Sequence, residues 1–116
     1  FQLAVATGKS RKGLDRIMQA HRVEPLFHSS RCADETRSKP EPDMLLEILD
    51  YHGLQPAQAV MIGDTEFDLE MASRAGVASV GVTWGAHDIT RLLRHGPRAC
   101  VHSVAELSNW LRNPAV

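Results

Sequence analysis

Cysteine is scarce: Cys32 and Cys100 are the only two, far apart and with no C-x-x-C pair. That excludes a paired redox motif and predicts two reduced thiols used for core packing in a cytoplasmic protein. No apolar run approaches the roughly 20 residues of a membrane span. Phe1 to Ala6 is apolar but short and lacks a basic flank, so it does not read as a signal peptide. Charge of one sign is also missing. Thirteen Lys and Arg stand against fourteen Asp and Glu, for a net charge of -1. No basic excess points to nucleic acid, and no acidic tail points to a solvating segment. There are no repeats, low-complexity tracts or interdomain linkers. Six histidines, His21, His28, His52, His87, His95 and His102, are scattered without the i, i+4 spacing of a zinc helix. They are expected at surface or loop positions.

What is present is enough for a core: 43% of the 116 residues are hydrophobic, in the size range of one domain or part of one. The chain is organised around Met61-Ile62-Gly63-Asp64-Thr65-Glu66-Phe67-Asp68. An apolar run from Ala59 ends at Gly63 and Asp64, and Asp68 follows where an amphipathic helix begins. In open α/β sheets, sites form outside the carboxyl ends of strands. Two carboxylates there suit a hard cation with oxygen ligands, Mg²⁺ above all. A strand, a turn and a helix N-cap would account for the same residues, since Asp is favoured at caps. A calcium loop starting at Asp64 fails, because its sixth position is Leu69 and its twelfth Ala75.

Strands and helices alternate along the chain. Residues 2–6 read as a buried parallel strand. Ser10 caps a helix with Leu14, Ile17 and Met18 on its apolar face. Thr7-Gly8-Lys9-Ser10 invites a P-loop reading, but the first Gly of that motif would fall at Leu3. Residues 23–29 predict a second strand centred on Leu26 and Phe27, and 30–37 a polar loop. Lys39-Pro40-Glu41-Pro42 opens a helix with Met44, Leu45, Ile48 and Leu49 buried and Gly53 as its stop. The strand at 59–62 leads to a helix from about Asp68 to Ala75, ended by Gly76. A strand over 77–82 follows, then the loop 83–87, with Trp84 expected in the core. Asp88 caps a short helix burying Ile89, Leu92 and Leu93. A brief strand at 99–101 precedes a helix with a capping box at Ser103 and Glu106 and an inner face of Leu107, Trp110 and Leu111. Such alternation predicts a parallel sheet covered on both faces.

Three strand ends thus offer polar groups: Thr7-Gly8, Lys39, and Asp64 with Asp68. A hydroxyl beside a glycine N–H, an ammonium and a carboxylate pair for Mg²⁺ are what phosphoryl transfer needs, where catalysis is positioning and electrostatics. Arg31, Arg37 and Arg74 read as solvated charge.

In this order the motifs resemble the haloacid dehalogenase superfamily, specifically its phosphoglycolate phosphatase-like branch. Ala4-Val5-Ala6-Thr7-Gly8-Lys9-Ser10 resembles the second motif of that family, Lys39-Pro40-Glu41-Pro42 the third, and the stretch from Ile62 to Asp68 the fourth. Gly81-Val82-Thr83-Trp84-Gly85 resembles the stretch that follows in this branch. The resemblance implies Thr7, Gly8 and Lys39 as phosphate-binding residues, with Thr7 and Lys39 catalytic. It implies Asp64 as the Mg²⁺ ligand and Asp68 supporting the metal or Lys39. It implies a Rossmann-like three-layer sandwich with a parallel sheet, and a small phosphorylated metabolite as substrate.

The family's first motif, Asp-x-Asp, occurs nowhere in residues 1–116, nor does its helical cap. The first Asp of that motif attacks phosphorus. Residues 1–116 are therefore expected to be the C-terminal part of a core domain, beginning at its second strand, with the nucleophile upstream. The chain alone is expected to be inactive and to self-associate through exposed strand edges. The alternative is a phosphate- or protein-binding α/β domain with no catalytic role.

Overall fold

A computed structural model describes residues 1–114. They fall into two compact units, Phe1–Leu54 and Gln55 onward. Every strand pairing in either unit is parallel.

The first unit holds β1 (Ala4–Thr7), α1 (Arg11–Ala20), β2 (Ser29–Cys32) and α2 (Asp43–His52). β1 pairs with β2 from Ala4↔Ser29 to Thr7↔Cys32. Ser10 caps α1 as expected, its hydroxyl accepting the Gly13 N–H at 3.1 Å. Pro42 stands at the N-cap of α2, and Gly53 ends that helix in the left-handed region at φ 66°. Met44, Leu45, Ile48 and Leu49 are buried, as their spacing predicts.

The second strand differs from expectation. Residues 24–26 form a single tight 3₁₀ turn, Leu26 is exposed, and the strand begins three residues later. Pro25 has no N–H for a ladder, and the Val23 and Glu24 carbonyls take the Leu26 and Phe27 N–H groups locally. The actual strand, Ser29-Ser30-Arg31-Cys32, is polar yet satisfied on both faces. Ser30 accepts from Arg11 of α1 at 2.8 Å. Ser29 bonds His52 of α2 at 2.7 Å, and Arg31 donates to Glu47 of α2 at 3.0 Å. Successive strand side chains alternate in face, so α1 and α2 cover opposite faces of this sheet. A two-stranded sheet is narrow, and Ile17, expected inside, is left exposed.

The second unit holds β3 (Val60–Gly63), α3 (Glu66–Ala75), β4 (Ala78–Val82), α4 (Ile89–Leu93), β5 (Ala99–Val101) and α5 (Val104–Arg112). Its sheet order is β3-β4-β5, which makes β3 an edge strand of that sheet. Val80, Val82 and Val101 form the centre of its core, with Val60, Leu107 and Trp110 packed against them. Leu69, Ala72 and Ala75 are buried on α3, and Gly76 ends that helix at φ 74°. α4 is shorter in reach than its sequence implies. Only Leu92 is buried, while Ile89 and Leu93 are exposed, because a five-residue helix presents little more than one turn to the sheet. At α5 the Ser103 hydroxyl accepts the Glu106 N–H, but Glu106 reaches past it to the His102 N–H at 2.8 Å.

Candidate active site

In the first unit, Thr7 ends β1. Its Oγ1 accepts the Lys9 N–H at 3.1 Å, closing a turn at the strand end while the hydroxyl proton remains available to donate. Gly8 is exposed, and a Cβ on it would meet nothing within 4 Å. Packing does not demand glycine there; the bare backbone leaves its N–H open to close approach. Lys39 is half-buried in the loop before α2, preceding a cis peptide bond to Pro40.

The loop after β2 is fastened to the start of α1 by a group that the sequence did not flag. Arg11 donates to both Glu35 carboxylate oxygens, at 2.9 and 3.2 Å, and its backbone N–H donates to Asp34 at 3.0 Å. Glu35 also accepts the Cys32 N–H at 2.8 Å. The Arg11 hydrogen bond holds the Glu35 carboxyl below its ordinary range, and Glu35 in turn raises the Arg11 guanidinium. The i, i+24 separation lies beyond any helical pairing rule.

The second unit places Asp64 directly after β3 and joins it to Asp68. Asp68 is buried, and its Oδ2 accepts two backbone N–H groups, those of Asp64 and Thr65, each at 3.1 Å. Thr65 returns the bond, its hydroxyl accepting the Asp68 N–H at 3.2 Å. This is a capping box with Asp at the third helical position, so α3 begins at Glu66, two residues before Asp68. Gly63 is obligatory here, because a Cβ on it would lie 2.3 Å from the Asp68 Cβ.

The loop following β4 also holds Asp64. Ala86 N–H donates to Asp64 Oδ2 at 3.1 Å, and His87 N–H donates to the Asp64 carbonyl at 3.1 Å. His87 Nδ1 accepts the Glu66 N–H at 3.0 Å, and its ring meets Phe67 edge-on. Arg91 of α4 pairs with Glu66, which lowers the Glu66 carboxyl.

Among the described residues no cluster of three or more Asp, Glu, His or Cys side chains forms a cage. Mg²⁺ does not require one, since it keeps several waters and takes one or two carboxylates. Asp64 is half-buried, with one carboxylate oxygen held by a backbone N–H and the other not hydrogen-bonded by the described residues. It suits that role. Asp68 has one oxygen committed to the backbone, which makes it a brace for Asp64.

One other expectation needs correction. Trp84 is exposed, because it sits in the loop beyond β4. The six histidines are exposed or half-buried, as expected, and several are hydrogen-bonded. His28 accepts the Leu3 N–H, His52 bridges Ser29 and Gln2, and His102 bonds Thr83. Arg31, Arg37 and Arg74 are ion-paired with Glu47, Asp43 and Glu70. Cys32 is fully buried and Cys100 half-buried; burial raises both thiols, consistent with packing.

Residues 1–82 match the family described as haloacid dehalogenase-like hydrolase. The chain is 35% identical over 108 residues to "Probable phosphatase IndB" of Dickeya dadantii, covering 92% of the chain and 47% of that protein. It is 31% identical to a phosphoglycolate phosphatase of Vibrio vulnificus over the same shares of each. The chain thus spans about half the length of the curated relatives it matches. A crystal structure from Haemophilus somnus, described as a predicted phosphoglycolate phosphatase, superposes with a TM-score of 0.88 at 27% identity. That match covers 96% of the chain and 50% of the solved one.

Proposed function

The chain belongs to the haloacid dehalogenase-like hydrolase family, and from that premise we propose that it forms the phosphate- and cation-handling part of a Mg²⁺-dependent, cytoplasmic phosphatase. Its substrate is a phosphate monoester of a small metabolite, of the phosphoglycolate kind. The observation that carries this reading is the clasp on Asp64, a carboxylate at a strand end held by the Ala86 N–H and braced through Asp68.

In this reading, the Thr7 hydroxyl and the Gly8 N–H receive phosphate oxygens, and Lys39 supplies a positive charge to the same group. Asp64 holds the cation, with Asp68 fixing the Asp64 backbone. Bound Mg²⁺ would neutralise charge on the phosphoryl oxygens. The carboxylate that attacks phosphorus comes from outside residues 1–116, where Asp-x-Asp does not occur. That same gap favours a second reading, a phosphate-binding domain without catalysis.

Phosphate release from 2-phosphoglycolate by the full-length gene product carrying this chain separates the two. The catalytic reading expects turnover that needs Mg²⁺, with Asp64→Asn raising the concentration required. Turnover with an unchanged metal requirement in Asp64→Asn would remove Asp64 from its role. No turnover with this or other small phosphate monoesters would favour the binding domain.

A further inference from the structure

The first N–H groups of a helix have no partner within it. On α3 the Thr65 side chain takes the Asp68 N–H, and the Asp68 side chain takes the Thr65 N–H. The N–H of Glu66, the first helical residue, is taken by none of these. It donates instead to His87 Nδ1, which lies 21 residues away in the loop after β4. Nδ1 is thus the ring's acceptor for this helix N-terminus. His87 therefore grips three consecutive parts of the turn. Its backbone N–H holds the Asp64 carbonyl, its Nδ1 holds the Glu66 N–H, and its ring edge meets Phe67 with centroids 5.5 Å apart. The adjoining Ala86 N–H holds the Asp64 carboxylate itself.

We propose that His87 is a positioning residue for the cation site, acting through the loop that aims the Ala86 N–H at Asp64; the proposal rests on Asp64 being the cation ligand. Hydrogen bonds from Ala86 and His87 set the Asp64 carboxylate and carbonyl, and the Nδ1 bond fixes where that loop lies along α3. Without it the Glu66 N–H loses its partner, and the loop keeps only its bonds to Asp64 and the ring contact with Phe67 to hold it there. The Asp64 carboxylate is then less preorganised, and cation affinity falls.

Two pairs of variants in the full-length gene product isolate this bond. His87→Leu removes the acceptor, while His87→Asn keeps one at the same distance along the side chain. Glu66→Pro removes the donor at the first helical position, where proline is tolerated and Thr65 already has the extended backbone that precedes proline. Glu66→Ala keeps the donor and controls for the lost Arg91 pair. The probe is Mn²⁺ alone, its binding followed by electron paramagnetic resonance, with thermal melting as a fold control. His87→Leu and Glu66→Pro should each weaken Mn²⁺ binding by roughly three- to tenfold, the weight of one net hydrogen bond. His87→Asn and Glu66→Ala should stay near wild type. Amide exchange at Glu66 should quicken in His87→Leu and be restored in His87→Asn.

Wild-type Mn²⁺ affinity in both His87→Leu and Glu66→Pro, with Glu66 exchange quickened, would leave His87 a helix cap with no positioning role. Affinity lost equally in Glu66→Ala would shift the effect to Arg91 and overturn the proposal. Mn²⁺ binding unaffected by Asp64→Asn would instead bring down the underlying site assignment. Should His87→Leu fail to fold, Glu66→Pro against Glu66→Ala decides alone.

Discussion

Gly85 lies against Asp64 so closely that a Cβ on it would sit 2.1 Å from the Asp64 Cβ and 2.3 Å from its Oδ2. The contact joins the loop after β4 to the residue after β3, and no other residue type fits without displacement. Gly85→Ala should therefore act on the site as well as on the fold. Overpacking of this kind costs about 1–3 kcal/mol. Urea unfolding should report that loss, and the Mg²⁺ concentration needed for activity should rise. An unaltered midpoint and metal requirement would show that Asp64 has room to move.

Lys39 is expected to serve phosphate rather than folding. In the full-length gene product, Lys39→Ala should lower turnover by about two to three powers of ten, the scale of one preorganised donor. Its melting temperature should barely change. Near-normal turnover of 2-phosphoglycolate would contradict the assignment.

Stability should depend on pH through Glu35. Its folded pKa lies below the unfolded value because Arg11 hydrogen-bonds the carboxylate. In that window the unfolded chain binds the extra proton, so stability rises with pH. The contribution is fully present above the unfolded Glu value of about 4.3 and is lost as pH falls through the folded value. The group is about one-third exposed, so screening by solvent keeps the effect small. Urea unfolding of wild type and Glu35→Gln should differ at pH 7 and converge at low pH. A difference that grows on acidification would reverse the sign.

Residues 1–116 on their own should release no phosphate from 2-phosphoglycolate with Mg²⁺, since no Asp-x-Asp is present. β3 is an edge strand of its sheet, and edge strands invite pairing with another chain. Light scattering during gel filtration should therefore show concentration-dependent association. Steady phosphate release that survives Asp64→Asn would defeat the assignment of the chemistry.

The sequence alone determined the alternation of strands and helices, the caps at Ser10 and Asp88, and the glycine stops at Gly53 and Gly76. These depend on contacts within a few residues, so local residue type suffices. The buried stripe of α2 was legible for the same reason, as a helical period. The family motifs were legible as an ordered set. Tertiary structure decided what depends on distant partners. β2 is polar because α1 and α2 satisfy Ser29, Ser30 and Arg31, and no apolar run marks such a strand. Its hydrophobic precursor, residues 23–27, is diverted by Pro25 into a turn. Ile17, Ile89 and Leu93 have the right period, but the sheet beneath them is too small or their helix too short to bury them. His87, Gly85 and Arg11 gain their roles from residues 21 to 24 positions away. Only folding the chain brings those groups into contact, so spacing along the sequence carried no sign of them.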